Sequence, residues 1–296
     1  MSITFRNYKH PDDYKKISAF LIRHYQPANR DDNWVEPEWE YMHGHPYLQE
    51  EHLKKNGIWE DDEEIVAAAH YEWRLGEAFF QFKPGYRSLQ GELLKYAEKN
   101  LAAEDGTLHV YVHDRDAVFT ALVQDQGYVH VPEEDRPMAH LVIPDPFPEI
   151  TLPEGYQLLS LADEPDWAKV HKVMYQGFNH GDVGEITQED MDMRRDMFDT
   201  VTSRRDLKVV VKAPNGDFVS MCGMFYQPEG RYGYVEPVAT DPDYRRMGLG
   251  KAAVLEGIQR CAELGAVEAF VGSNQPFYQA LGFKVIFTSQ CWNKQL

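Results

Sequence analysis

Cysteine is scarce: Cys222, Cys261 and Cys291 are the only three in 296 residues, odd in number and far apart. That spacing excludes a disulfide framework and a cysteine-built zinc site, and it points to a reducing, cytoplasmic setting. Positive charge is short too, with 30 Lys and Arg against 48 Asp and Glu and a formal net charge of -18. So acidic a chain is not expected to bind nucleic acid, whose phosphates require a basic face; the surplus suits either plain solubility or a cationic small substrate. No apolar run is long enough to span a bilayer, so no membrane partner is expected. No metal is expected either, because His43-x-His45 lacks a third ligand at a fixed spacing.

What is present is an ordinary globular composition, 43% hydrophobic and 26% charged, in a chain long enough for two cores. Pro144-Asp-Pro-Phe-Pro-Glu-Ile-Thr-Leu-Pro153 is extended and stiff. It divides the sequence into expected domains 1–143 and 154–296, joined by a linker at 144–153. In the first domain residues 3–7 alternate like a strand, and Tyr14, Ile17, Phe20, Leu21 and Tyr25 recur at helical spacing. Residues 31–45 mix carboxylates, Trp34, Trp39, His43 and His45. They read either as a short helix over a sheet or as an aromatic wall for an amine. Strands are expected at 64–72, 77–82, 107–112 and 138–143, with helices near 93–101 and 114–123.

The second domain repeats this order. A strand at 156–159 is followed by helices at 164–178 and 187–200, the latter with Thr187 as N-cap. A hairpin turns at Asn215-Gly216, and strand, helix and strand follow at 267–271, 275–281 and 282–286. Within the repeat, Lys83-Pro-Gly-Tyr-Arg-Ser-Leu-Gln-Gly-Glu92 aligns with Asp241-Pro-Asp-Tyr-Arg-Arg-Met-Gly-Leu-Gly250. Pro84, Tyr86 and Arg87 match Pro242, Tyr244 and Arg245, while Gln90 and Glu92 stand where Gly248 and Gly250 stand. The chain therefore reads as an internal duplication with one degenerate copy.

The intact copy carries the chemistry. A β-branched run ends at Thr240, a polar turn leads to Gly248 and Gly250, and an amphipathic helix begins. A helix start after glycines presents unpaired N–H groups and a positive dipole end to an anion. Three readings of this turn stand: a plain helix start; a dinucleotide site, whose glycines would follow the strand at once; and an acetyl-CoA loop. Arg245-x-x-Gly248-x-Gly250, joined by Tyr278-Gln-Ala-Leu-Gly282-Phe283, resembles the GNAT N-acetyltransferase family. The resemblance covers both halves in element order, and its motifs are intact only in the second.

That resemblance implies an α/β (α+β) architecture of two tandem GNAT folds, each a mixed, mostly antiparallel central sheet flanked by helices. It implies acetyl-CoA as cosubstrate and transfer of acetyl to a primary amine of a small molecule or peptide. Arg245, Arg246, Met247, Gly248, Leu249, Gly250 and Lys251 would hold the pyrophosphate. Backbone amides of Val238, Ala239 and Thr240 would hold pantetheine and polarise the acetyl carbonyl. Tyr278 would protonate the leaving sulfur with a phenol of pKa near the thiol range. Glu236 stands where relatives carry a base, and its other reading is an edge carboxylate beside Pro237; Tyr234 shares its strand face. Relatives place a cofactor-contacting Asn seven residues before the tyrosine. Here that position is Val271, and Asn274 is the nearest candidate, with helix capping as its other reading. The loop 179–184 would touch the acceptor. The first half, with Gln90, Glu92 and Val123 at the motif positions, is expected to bind no acetyl-CoA. The alternative function is a non-catalytic acyl-CoA-binding regulator, and the expected state is a monomer or homodimer.

Overall fold

A computed structural model describes residues 3–296. They form two compact units: the chain up to Ala139 together with Val285–Leu296, and His140–Lys284. The first contains β1 (Thr4–Asn7), α1 (Asp12–His24), α2 (Glu36–Gly44), β2 (Gly57–Asp61), β3 (Glu64–His70), β4 (Glu77–Phe82), α3 (Gln90–Asn100), β5 (Thr107–His113), α4 (Ala117–Asp125), β6 (Val129–His130) and the start of β7 (Arg136–Val142). The second contains β8 (Gln157–Ser160), α5 (Trp167–Gly177), α6 (Gln188–Phe198), β9 (Lys208–Lys212), β10 (Phe218–Gln227), β11 (Tyr232–Thr240), α7 (Leu249–Glu263), β12 (Glu268–Val271) and α8 (Pro276–Ala280). The chain then ends in β13 (Lys284–Gln295).

In the first unit the sheet order is β1-β2-β3-β4-β5-β13, with β6 on β13. In the second, β12-β11-β10-β9-β8 follow one another. Each is mostly antiparallel with one parallel pair, β4 with β5 and β11 with β12. The parallel pair stands at the same place in both because a helix, α3 or α7, carries the chain across between the two strands. This is the mixed α/β architecture expected.

The last strand differs from expectation. Residues 285–296, which the sequence puts in the second domain, carry most of β13, and this strand pairs with β5 from Ser289↔His113 to Gln295↔Thr107 in the first unit. Conversely, residues from His140 on, read as the end of the first domain, belong to the second unit, where the Ile143 N–H meets the Val267 carbonyl at 3.0 Å.

Helix α1 buries Tyr14, Ile17, Phe20 and Leu21, the stripe its spacing dictates, with Asp12 and Asp13 in its first turn and Arg23 and His24 in its last. Residues 36–44 form the short covering helix: Trp39 and Met42 are buried, and both ring nitrogens of His43 are engaged, Nδ1 with the Trp39 carbonyl at 2.8 Å and Nε2 with the Tyr8 hydroxyl at 3.3 Å. That leaves no lone pair for a metal. In the second unit the buried core includes Val170, Val173 and Met174 of α5, Val209, Val211 and Met221 of the sheet, and Ala253, Val254 and Ile258 of α7. Among the described residues no helix is long and apolar enough to cross a membrane.

Candidate active site

Two neighbouring irregularities shape the second unit's cleft. Strand β11 pairs with β12 only from Tyr232↔Glu268 to Tyr234↔Phe270, and then the two diverge. On the other side, the register with β10 shifts between Cys222 and Met224, so Glu236 and Pro237 together face Gly223. Such a bulge re-aims the strand. Val238, Ala239 and Thr240 thus run beyond the end of the parallel ladder, with peptide groups on that edge available to a ligand.

The chain leaves β11 through a short turn, Pro242–Tyr244, pinned by the Asp241 carboxylate accepting from the Asp243 N–H at 2.9 Å. Arg246 (φ 64) and Gly248 (φ 82) are left-handed, and Gly248 caps α7. A side chain at Gly248 would meet open space, so only its backbone angle demands glycine. At Gly250 the demand is steric, since a Cβ would lie 3.0 Å from Thr240 Oγ1. Leu249 is buried and anchors the helix start, while Met247 is exposed. The first N–H returned to the helix is that of Ala252, to Gly248 O at 2.9 Å, so the donors of the preceding turn point outward. Among the described residues neither Arg246 nor Lys251 makes an ion pair. Left-handed turn, outward amides and two uncommitted cations together fit a pyrophosphate. Beside them a groove of about 280 Å3 runs between Lys251 and Leu255 of α7 and the segment carrying Glu149, Leu152 and Pro153. Nothing in the sequence marked the linker as a wall of this site.

Arg245 is placed differently from the expectation that its side chain meets phosphate. Its Nε donates to Thr240 O at 3.1 Å, and its Nη2 donates to Gly177 O at 2.8 Å and Asn179 Oδ1 at 2.9 Å. Its N–H is turned inward as well, to Pro242 O at 3.3 Å.

Tyr278 sits on α8, 8% exposed, edge-on to Phe277 and Phe283. Burial, with the charge of Glu236 and then Cys222 adding to it, pushes its phenol well above the ordinary value. The expected pKa near the thiol range is therefore corrected: the hydroxyl stays protonated throughout the physiological range. The repulsion also places Glu236 within electrostatic reach of Tyr278. Asn274 is exposed, and it is not the helix cap. Gln275 occupies that position, the Ser273 hydroxyl accepts the Gln275 N–H at 3.2 Å, and Asn274 offers only its carbonyl, to Gln279 at 2.9 Å.

The first unit shows the same strand–turn–helix order in a closed form. Arg87–Leu89 is a 3-10 turn running straight into α3; the left-handed residue of this connection, Gly85 (φ 90), lies before it and not at the helix start, and the Leu89 N–H is already bonded to Tyr86 O at 3.0 Å. The Asp116 carboxylate lies at this helix start, taking Arg87 Nη1 at 2.5 Å and Gln90 Nε2 at 2.6 Å. Glu92, at the position matching Gly250, turns away from that spot to accept the Trp59 indole N–H at 2.6 Å. Elsewhere in this unit His109, Glu134 and Cys291 bring ligand atoms within 4.8 Å of one another. The Asn293 amide already occupies His109 Nε2 at 2.7 Å.

A mixed sheet with one parallel crossover, a splayed strand and a left-handed turn into a helix define the class. Residues 171–283 match the model of the Acetyltransferase (GNAT) family. That match lies within the second unit, and it makes the segment similar to GNAT acetyltransferases. Over 85 residues it is 34% identical to glucosamine 6-phosphate N-acetyltransferase of Trypanosoma brucei brucei, a match covering 26% of this chain and 58% of that relative. Among solved structures, a GCN5-related N-acetyltransferase from Sphaerobacter thermophilus superposes with TM-score 0.64 at 18% identity, over 99% of this chain and 95% of the other. A tandem GNAT protein from the clavulanic acid biosynthesis pathway superposes with TM-score 0.65 at 14% identity, over 99% and 98%. At these identities the two structures speak to the fold alone.

Proposed function

We propose that this protein is an N-acetyltransferase that moves acetyl from acetyl-CoA to a primary amine of a small molecule or peptide, with the second unit doing the chemistry. The observation that carries the reading is the left-handed Gly248 turn opening α7 beside the free edge of β11. Arg246, Lys251 and the amides of Met247 to Lys251 would hold the pyrophosphate, and the amides of Val238 to Thr240 would hold pantetheine and polarise the acetyl carbonyl. Acetyl-CoA supplies the thioester. Glu236 would take the proton of the attacking ammonium, directly or through water, and Tyr278 would hold a proton ready for the departing sulfur. Asn274 keeps a peripheral place in the proposed cofactor site. The three cysteines, all free and buried, suit a cytoplasmic setting. As monomer or homodimer, the chain needs no further group for this reaction.

An amine panel headed by glucosamine 6-phosphate, the substrate in the relative's name, tests the reading by release of CoA thiol. Thiol release with any amine, accompanied by a rise in Tm with acetyl-CoA, is expected. A Tm unmoved by acetyl-CoA overturns the site, and a rise in Tm without thiol release for any amine selects the regulatory alternative.

A further inference from the structure

Arg245 presents a puzzle that the duplication resolves. It is shared by both copies, as Arg87 in the first unit, although the first copy lacks both glycines of the turn. A phosphate ligand has no reason to persist where the phosphate site is closed. Its contacts supply another reason. Arg245 reaches from the turn after β11 to the connection between α5 and α6, bonding Gly177 O at 2.8 Å and Asn179 Oδ1 at 2.9 Å. Arg87 reaches from the turn after β4 to the connection between α1 and α2, bonding Asp31 O at 3.2 Å and Asp32 Oδ2 at 3.0 Å. From that connection each guanidinium takes one main-chain carbonyl and one side-chain oxygen, and its third acceptor is Thr240 O for Arg245 and the Asp116 carboxylate for Arg87. In each, the residue giving that oxygen is left-handed, Asn179 and Asp32 both at φ 63. Asn and Asp are the side chains that tolerate this conformation best after glycine.

In the second unit this corner adjoins the proposed donor site. A Cβ on Gly177 would lie 2.8 Å from Ala239 Cβ and 2.9 Å from Thr240 N, so α5 ends directly on the strand assigned to pantetheine. Arg245 Nε closes the triangle on Thr240 O at 3.1 Å. Asn179 and His180 return their N–H groups to Gln176 and Tyr175, and the chain then runs toward α6 with Gly181, Asp182 and Gly184 exposed. A planar guanidinium presents its donors from separate nitrogens and so reaches oxygens on different segments at once, whereas the three donors of an ammonium radiate from a single atom.

We infer that Arg245 is a positioning residue that clamps the Gly177–His180 corner to the donor turn, so that binding of acetyl-CoA at the turn orders the acceptor loop that follows. The inference deepens the proposed function and rests on its site assignment. Phosphate contact falls to Arg246 and Lys251.

The test compares Arg245→Gln, Asn179→Ala and Arg246→Ala in the full chain, using acetyl-CoA as the probe. Hydrogen exchange of the amides 178–187 is followed with and without it, and its Kd is measured against salt concentration. Arg245→Gln and Asn179→Ala are expected to speed exchange in 178–187 about tenfold and to remove the protection that acetyl-CoA confers there, while keeping the wild-type salt dependence. Arg246→Ala is expected to flatten the salt dependence and leave loop exchange in the free protein unchanged. Arg245→Lys restores little, having one point of charge for three oxygens. A salt slope flattened by Arg245→Gln as much as by Arg246→Ala overturns the inference, as does unchanged loop exchange in both Arg245→Gln and Asn179→Ala. Wild-type protein that does not bind acetyl-CoA sinks the site assignment and the coupling with it, while exchange in the free variants still reports on the clamp.

Discussion

Gly250 and Thr240 meet across the mouth of the second unit's cleft with no room for a methyl group between them. A Cβ on Gly250 would lie 3.0 Å from Thr240 Oγ1, a hydroxyl already held by Ser220 at 2.8 Å. Gly250→Ala must therefore push Thr240, and with it the strand edge expected to take pantetheine. Gly248→Ala meets no neighbour but forces a side chain into a left-handed angle, costing about 1–2 kcal/mol. The two variants separate by readout. Gly250→Ala weakens acetyl-CoA about tenfold with a small change in Tm, whereas Gly248→Ala lowers the Tm of the unliganded protein as well. Calorimetric titration with acetyl-CoA and a thermal melt check both.

Arg246 and Lys251 are exposed cations in a chain of net charge -18, and neither is neutralised by a carboxylate among the described residues. Removing either, as Arg246→Ala or Lys251→Ala, is expected to weaken acetyl-CoA by about three- to tenfold, the size of an exposed charge-assisted contact. The loss shrinks as salt rises, because the same charges are screened in the wild type. Equal losses at low and high salt would assign the effect to turn geometry instead.

Tyr278 tests the acid role. Burial raises its pKa, so the phenol is neutral below and through the physiological range and is lost only at strongly alkaline pH. Tyr278→Phe keeps the ring between Phe277 and Phe283 and is expected to bind acetyl-CoA unchanged, while kcat falls on the order of 100-fold. A basic limb of the kcat profile below about pH 9 would belong to another group and would persist in the variant. Full turnover by Tyr278→Phe would remove the acid assignment while leaving the binding site intact.

The first unit carries a pH liability of its own. His70 is buried with Nδ1–H donating to Tyr71 O at 3.0 Å and Nε2 accepting from the Gln81 amide at 2.9 Å, a network that only the neutral ring completes. Burial pulls its pKa down to about 4, and that of His43, packed on Trp39, to about 3. Unfolded imidazoles titrate near 6.5, so the unfolded chain takes up the protons first. The stabilisation is complete above that value and is lost as pH falls through the window down to the folded pKa. At pH 5 each ring costs on the order of 2 kcal/mol. Melts from pH 7.5 to 5 should show a falling Tm, and His70→Gln should reduce the fall. An unchanged slope in that variant would refute the assignment.

The turn was legible because its chemistry is local: a glycine needed for φ and another for close approach sit two residues apart, and the failed copy at 83–92 isolates them. Helix stripes and the Asn215-Gly216 hairpin were legible for the same reason. What escaped was long-range. Two of the three partners of Arg245 lie 66 and 68 positions away, so spacing gave the residue and not its role. Strand β2, Gly57–Asp61, hides because burial on both faces erases alternation. Strand β13 ends in Ser289-Gln-Cys-Trp-Asn-Lys-Gln295, polar enough to read as a tail, and only pairing with β5 makes it a strand.

That closed copy leads to a stoichiometry. In the first unit the helix start is capped by a 3-10 turn, and the Asp116 carboxylate occupies the place beside Arg87 and Gln90. An incoming pyrophosphate would face that carboxylate, and the Arg87 guanidinium and the Leu89 and Gln90 N–H groups there are already bonded. One acetyl-CoA per chain is therefore expected, and a Gly248→Ala, Gly250→Ala double variant should bind none. Asp116→Asn in that double variant is the sharper probe. Removing the charge leaves the 3-10 turn in place, so binding should not appear. Saturation at two equivalents in the wild type, or residual binding in the double variant, would show that the first unit kept a site despite its lost glycines.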